Sequence, residues 1–137
     1  MRTERRRQHP ADGTRPNRVE IETPSTACAI VALVGEHDLA EYAPLRDALD
    51  LAAARRRNLL IDLTACKFID STVVSLLLHA RDEVSSDGGT FGVVLPAPGS
   101  AVHRLAGVMR FETLFPVHET LSAALHVPPP GPDYFEI

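Results

Sequence analysis

The stretch RNLLIDLTACKFIDSTVVSLLLHARDEV, residues 57–84, decides the fold. Its first half contains a short apolar run, Leu59 to Leu63, which is typical of a strand buried on both faces. Its second half has apolar residues at helical spacing, and the small polar residues Asp70, Ser71 and Thr72 stand between the two halves. A buried strand that leads into a helix predicts one unit of a parallel α/β sheet.

The flanking sequence continues this alternation of strands and helices. Two strand-like segments, Arg18–Glu22 and Ala27–Val34, predict an antiparallel hairpin, and a loop (GEHD) and a helix beginning near Leu39 follow. Further along, TFGVVL and LFPV are typical of strands, while AVHRLAGV (with Ser100 as its N-cap) and ETLSAAL are typical of helices. The predicted order is β-β-α-β-α-β-α-β-α. We therefore expect a single α/β domain with a mixed, mostly parallel sheet packed with helices.

Composition separates this domain, residues 18–126, from two flanking tails. Residues 1–17 are predicted to form a disordered basic tail, and residues 127–137 a Pro-rich one. The basic arm lacks aromatic residues and helical periodicity, so we expect no direct contact with nucleic acid. No apolar run is long enough to span a bilayer, and no apolar segment follows the basic start. We therefore expect a cytoplasmic protein without membrane contact.

The sequence lacks the motifs of common enzyme and metal sites. It has no GxSxG elbow, no HExxH pair and no GxxxxGK[ST] loop, so neither a catalytic residue nor a bound metal is predicted. The two cysteines, Cys28 and Cys66, lie in apolar surroundings and form no CxxC pair. Buried, reduced thiols are the expected result.

Polar residues gather at one edge of the predicted sheet. Two strands joined by a helical crossover run parallel, so the loops that leave their carboxyl ends meet at the same edge, where α/β proteins commonly bind ligands and partners. The residues brought there are Glu36, His37, Asp38, Asp70, Ser71 and Thr72.

The helix after Ser71 shows two stripes when its residues are placed at about 100° intervals. The predicted core stripe consists of Val73, Leu76, Leu77, Ala80 and Val84. A second stripe, with a leucine beside serines, indicates a surface for a partner; it consists of Ser71, Ser75, Leu78 and Asp82, with Val74 at its margin. A broader core stripe that takes in Val74 and Leu78 is the alternative. Ser71 itself has two possible roles, as a helix cap and as a chemically modified hydroxyl.

Several segments together resemble the STAS domain of bacterial anti-sigma factor antagonists. They are VALVGEHDL, NLLIDLTACKFIDST and GGTFGVVLPAPGSAVHRLAGVMRFETLFPVHETLSAAL, and the resemblance covers about residues 18–126. It implies a protein that binds an anti-sigma factor serine kinase and thereby frees a sigma factor. It further implies that the kinase phosphorylates Ser71, that a metal-dependent Ser/Thr phosphatase reverses the reaction, and that Asp38 lies beside Ser71. ATP belongs to the kinase, so no cofactor is implied for this chain.

The sequence departs from this family in the segment that begins at Asp70 and at His37. Where the family often has DSSGLG, this chain has DSTVVS, so Val73 replaces a flexible glycine and Thr72 is a second possible acceptor. His37 stands where an apolar residue is common. A STAS module that is never phosphorylated, in a lipid-transport or signalling assembly, is one alternative. A small flavodoxin-like enzyme is another.

Overall fold

The computed structural model describes residues 17–126. The helices and strands, in chain order, are β1 Arg18–Glu22, β2 Cys28–His37, α1 Tyr42–Arg55, β3 Asn58–Asp62, β4 Cys66–Ile69, α2 Ser71–Ser86, β5 Phe91–Val94, α3 Ala101–Val108, α4 Phe111–Leu114, β6 Val117–His118 and α5 Leu121–Leu125. A short 3-10 helix, Leu39–Glu41, precedes α1. The fold is α/β, as predicted, but β4 and α4 were not anticipated, because four residues are too few to show a periodicity.

The sheet is mixed and mostly parallel, which confirms the predicted topology. Its strand order is β1-β2-β3-β5-β6, with β4 paired to β2. Only the β1–β2 pair is antiparallel among the strands of residues 17–126, and the four other pairs are parallel. The carboxyl ends of β2 and β3 therefore lie at the same edge of the sheet, as the crossover rule requires.

Successive residues of the central strands point to opposite faces of the sheet and join separate apolar clusters. On one face Val31, Ile61 and Val93 contribute to the main core, which α1, α2, α3 and α4 cover. On the other face Ile30 and Leu60 join a smaller cluster, which α5 covers. Both faces of these strands are thus buried, which explains why the strands are apolar throughout rather than alternating.

The predicted core stripe of α2 is confirmed. Its members are all at most 7% exposed and belong to the main core; they are Val73, Leu76, Leu77, Ala80 and Val84. This stripe fixes the rotation of α2 about its axis, so Ser71 and Ser75 on its opposite side are exposed.

The segment GEHD, predicted to be a loop, instead continues β2 as far as His37. β2 pairs with β3 as far as Ala32 and with β4 from Gly35 to His37, and the β2–β4 register shifts between Gly35 and Glu36. Gly35 has a φ of +90°, and its N–H donates to the Ala65 carbonyl at 3.0 Å. The Glu36 N–H donates to the side-chain oxygen of Asn17 at 2.9 Å. The bulge depends on a partner strand distant in sequence, so local pattern alone did not indicate it.

Asn17 marks the start of the described residues, and its bond to Glu36 ties it to the domain. The sequence had placed it at the end of the N-terminal tail. The rest of that predicted tail, residues 1–16, and the predicted tail 127–137 lie outside the described residues.

Both cysteines are free thiols, and the domain buries them to different extents. Cys66 is buried and Cys28 is half-buried. Burial raises the pKa of the Cys66 thiol to about 11 and also raises the pKa of Cys28, so both thiols are protonated at neutral pH. Within residues 17–126, no helix has the length and apolar character needed to cross a membrane.

Replacing Gly35 with alanine should weaken the domain. An alanine there would have to adopt the left-handed backbone of Gly35, and its β-carbon would collide with the Asn17 side chain. We expect a loss of about 1–3 kcal/mol in the free energy of unfolding, measured by urea denaturation. Gly107→Ala is the matched control, because a β-carbon there meets no atom within 4 Å and alanine favours the helix. Equal stabilities for the two variants would show that the bulge does not require glycine.

Candidate partner-binding site

The site begins where β2 and β4 end side by side. His37 and Ile69 are register partners and the last residues of their strands. Asp38 and Asp70 are therefore the first residues to leave the sheet, at equivalent positions on neighbouring strands. The structure thus brings together the two loops that the topology predicted to meet.

The Asp70 carboxylate connects these two loops. Its Oδ1 accepts a hydrogen bond from the Val73 N–H at 3.1 Å, which makes Asp70 the N-cap of α2. Its Oδ2 accepts a hydrogen bond from the Leu39 N–H, also at 3.1 Å. One side chain therefore fixes both the start of α2 and the segment that follows β2, and each oxygen binds a separate backbone donor.

Asp38 plays a similar but smaller part on the neighbouring strand. Its Oδ1 accepts from the Ala40 N–H at 2.9 Å and caps the 3-10 helix. The Asp38 side chain is exposed, whereas Asp70 is half-buried. Both aspartates are held by backbone donors, so the edge has a defined shape and carries two negative charges.

Ser71 is the first residue of α2 and is exposed. Because Asp70 caps the helix, the capping role considered for Ser71 is wrong. The neighbouring Thr72 is half-buried, so its hydroxyl is less accessible than that of Ser71. Of the two hydroxyls in the first turn, Ser71 is the one that a partner reaches more easily.

An open groove of about 490 Å³ runs beside Ser71, between the first turns of α1 and α2. Its lining residues are Tyr42, Arg46, Ser71, Thr72, Ser75, Leu76 and His79. Ser71, Thr72 and Ser75 were predicted from the sequence as site residues, whereas Tyr42, Arg46 and His79 were not. Parallel topology was the available signal, because it starts both helices at the same sheet edge. The angle at which the two helices pack was not available from sequence.

The structure corrects the placement of Val74. This residue is 2% exposed and belongs to the main core, so its side chain is not part of a partner surface. The stripe that faces the core is wider than the 100° pattern indicated, since α2 packs against both the sheet and α1. Leu78 is half-buried and packs against the edge of the core. The assignment of Leu78 and Ser75 to a partner surface stays a prediction.

Two exposed apolar side chains, overlooked in the sequence, flank the same edge. Leu39 follows Asp38 and is 68% exposed, and Phe68 precedes the last residue of β4 and is 45% exposed. Large exposed apolar side chains next to polar ones are typical of protein contacts. In CKFI, Cys66 and Ile69 are buried and the two residues between them are exposed, so a simple strand alternation does not predict the exposure of Phe68.

His37 lies beneath the edge and is fully buried. Its Nε2 lies 3.0 Å from the Val34 carbonyl oxygen and donates to it. Its Nδ1 has no hydrogen-bond partner among the residues that the structure describes. The imidazole fills space as an apolar side chain would, which agrees with the apolar residue common at this position in the resembled family. The same described range contains no group of three His, Cys, Asp or Glu residues arranged for a metal ion.

Comparison with known proteins identifies the family to which this chain belongs. The model of the family described as "Mlab, STAS domain" matches residues 22–116, more than half of the chain. The chain therefore belongs to the STAS domain family. A STAS-domain containing protein of Pseudomonas aeruginosa (strain UCBPP-PA14) is 24% identical over 87 residues, which are 64% of this chain and 84% of that protein.

Two solved structures resemble the fold. An anti-sigma factor antagonist from Mycobacterium paratuberculosis is 27% identical, with a TM-score of 0.71 over 80% of this chain and 92% of that one. The Bacillus cell fate determinant SpoIIAA in its phosphorylated form is 17% identical, with a TM-score of 0.61 over 79% of this chain and 96% of that one. The second likeness shows the fold alone. Together with the family match, the first shows that this chain has the STAS fold of anti-sigma factor antagonists.

Removing the Asp70 carboxylate should loosen both loops at once. For Asp70→Ala we expect a loss of about 1–3 kcal/mol in the free energy of unfolding, because two backbone donors lose their partner. For Asp38→Ala, the control that removes a single cap from a three-residue helix, we expect less than about 1 kcal/mol. Urea denaturation measures both. A loss for Asp70→Ala no larger than that for Asp38→Ala would contradict the role given to Asp70.

Proposed function

We propose that this protein is an anti-sigma factor antagonist that binds an anti-sigma factor serine kinase and is released when the kinase phosphorylates Ser71. One observation carries the proposal: Ser71 is exposed in the first turn of α2, and Asp70 rather than Ser71 caps that helix. The Ser71 hydroxyl is therefore not required by the fold. Membership of the STAS family and the likeness to the mycobacterial antagonist support the same function.

The modification transfers one phosphoryl group. The Ser71 Oγ attacks the γ-phosphorus of ATP on the kinase, an O–P bond forms, the β–γ phosphoanhydride bond breaks and ADP leaves. The hydroxyl proton passes to a base on the kinase. A metal-dependent phosphatase reverses the change by hydrolysis, which releases inorganic phosphate and restores the hydroxyl. This chain supplies the acceptor and needs no cofactor of its own.

Phosphorylation adds about −1.5 to −2 charges at neutral pH. The new charge is on the residue after Asp70, whose carboxylate binds the Leu39 N–H next to Asp38, so it is added to an edge that already carries two carboxylates. The start of a helix accommodates a phosphate, because its first N–H groups and its dipole favour negative charge. The fold therefore persists after modification, while an acidic or apolar partner surface no longer fits.

The unmodified edge offers the partner both apolar and polar contacts. Leu39, Phe68 and Leu78 supply apolar area, and Ser71, Thr72 and Ser75 supply hydroxyl groups. Buried apolar side chains surrounded by polar ones are typical of protein interfaces. We place the interface within residues 18–126, the STAS domain, and the protein in the cytoplasm with its kinase and phosphatase.

A second candidate is a STAS module that is never phosphorylated, in a lipid-transport or signalling assembly. Two observations favour it. The matching family is described as "Mlab, STAS domain", without mention of an anti-sigma factor. Val73, in place of a flexible glycine, is fully buried and stiffens the start of α2. Incubation with the cognate kinase and ATP separates the two candidates, because only the first acquires a phosphoryl group.

Substitution of Ser71 should alter binding without altering the fold. Ser71→Ala should bind the kinase persistently and resist phosphorylation, since it keeps the neutral edge but lacks the acceptor. Ser71→Asp should bind more weakly, because it adds a negative charge at the same place. Thr72→Ala is the control and should still be phosphorylated. Affinity is measured by calorimetry and the modification by mass spectrometry. Phosphate on Thr72, or a Ser71→Asp variant that binds as well as the parent, would refute the assignment.

Replacing Leu78 or Val74 with alanine distinguishes a residue of the partner surface from a residue of the core. Leu78→Ala should weaken kinase binding by roughly 1–3 kcal/mol, as an interface leucine does, with a smaller loss of stability. Val74→Ala should instead lower the free energy of unfolding by about 1–3 kcal/mol, because it leaves a cavity in the core. Calorimetry and urea denaturation separate the two effects. If Leu78→Ala destabilises the domain as much as Val74→Ala and binds normally, Leu78 belongs to the core.

A further inference from the structure

The groove beside Ser71 differs in charge from the edge on the other side of that residue. Tyr42 and Arg46 are four residues apart on α1, and Ser71 and Ser75 are four residues apart on α2, so each pair lies on one helix face. These two faces line the same groove. Its volume of about 490 Å³ and its open shape leave room for a group attached to the Ser71 hydroxyl.

Arg46 brings a positive charge to this groove. Its guanidinium Nε lies 3.7 Å from Oδ2 of Asp50, one turn further along α1, and both side chains are about half exposed. An exposed pair at this distance contributes little to stability. The cation is therefore free to exchange its carboxylate partner for a stronger anion.

The Asp70 carboxylate, which does not line the groove, is already occupied. Its two oxygens accept hydrogen bonds from the Val73 and Leu39 N–H groups. An anion attached to Ser71 thus adjoins a fixed carboxylate at Asp70, whereas the groove is lined by Arg46 and His79 and by no carboxylate. Electrostatics directs such a group away from Asp70 and into the groove.

We propose that Arg46 holds the phosphate attached to Ser71, so that phosphoserine occupies the groove between α1 and α2. This inference rests on the proposed function and names the residue that binds the phosphate of the modified form. The planar guanidinium can bind two phosphate oxygens at once. Its present contact with Asp50, a single 3.7 Å approach through Nε, is a weaker interaction. Phosphorylation then closes the groove to the partner in addition to adding repulsive charge.

The test installs phosphoserine at position 71 during synthesis of the full chain, so that no kinase is required. The second ionisation of this phosphate is then followed by ³¹P nuclear magnetic resonance during a pH titration. A cation in contact favours the dianion and lowers its pKa. We expect Arg46→Gln to raise the pKa of the phosphate by about 0.5 to 1 unit at low salt. Arg46→Lys should give an intermediate value.

Arg55→Gln is the matched control, since it removes the same charge from the exposed last turn of the same helix. It should leave the phosphate pKa unchanged. The unmodified Arg46→Gln chain should melt at the same temperature as the parent, which separates phosphate contact from a structural role. An identical phosphate pKa in the parent and in Arg46→Gln, or an equal shift from Arg55→Gln, would overturn the proposal.

The failure of this inference and that of the proposed function give different results. If the installed phosphate responds to Arg46 but the kinase leaves Ser71 unmodified, the contact is supported and the proposed function fails. If the kinase phosphorylates Ser71 but the titration is insensitive to Arg46, the contact is refuted and the proposed function stands.

Discussion

The Asp70 carboxylate is the interaction on which the site depends. Its two oxygens accept hydrogen bonds from the backbone N–H groups of Leu39 and Val73, which are 34 residues apart in the sequence. Because the cap is supplied by Asp70, the next residue, Ser71, stands in the first turn with its side chain exposed. A fold that capped this helix through Ser71 would have committed that hydroxyl to structure. Because Asp70 supplies the cap, the proposed phosphorylation of Ser71 would leave the cap of α2 in place.

The sheet places Asp70 where this bond can form. β2 leaves β3 after Ala32 and pairs with β4 from Gly35, and β2 and β4 end together at His37 and Ile69. Without that change of partner, the segment after β2 would not be alongside the start of α2. Gly35, which has a left-handed backbone, is the first residue of β2 to pair with β4, and the carboxylate of Asp70 joins the segments that leave the two strands.

Much of this architecture was predicted from the sequence. The buried strand Leu59 to Leu63, the core stripe of α2 and the parallel crossover together predicted the α/β sheet and the edge at which Asp38, Asp70 and Ser71 meet. The extension of β2 and the existence of β4 were not predicted, because they depend on pairing between distant segments. Val74 was misplaced for a related reason, since α1 and the sheet enclose a wider part of α2 than periodicity alone indicates. The groove lined by Arg46 also arises from helix packing, which leaves no local pattern.

In the proposed function, phosphate on Ser71 releases the partner while the domain stays folded. The most direct measurement compares the affinity of the cognate kinase for the unmodified chain and for the chain with phosphoserine installed at 71, with far-ultraviolet circular dichroism recorded for both. We expect a loss of affinity of roughly tenfold or more with unchanged spectra. Equal affinity for the two forms, or a loss of helical signal in the modified one, would contradict it.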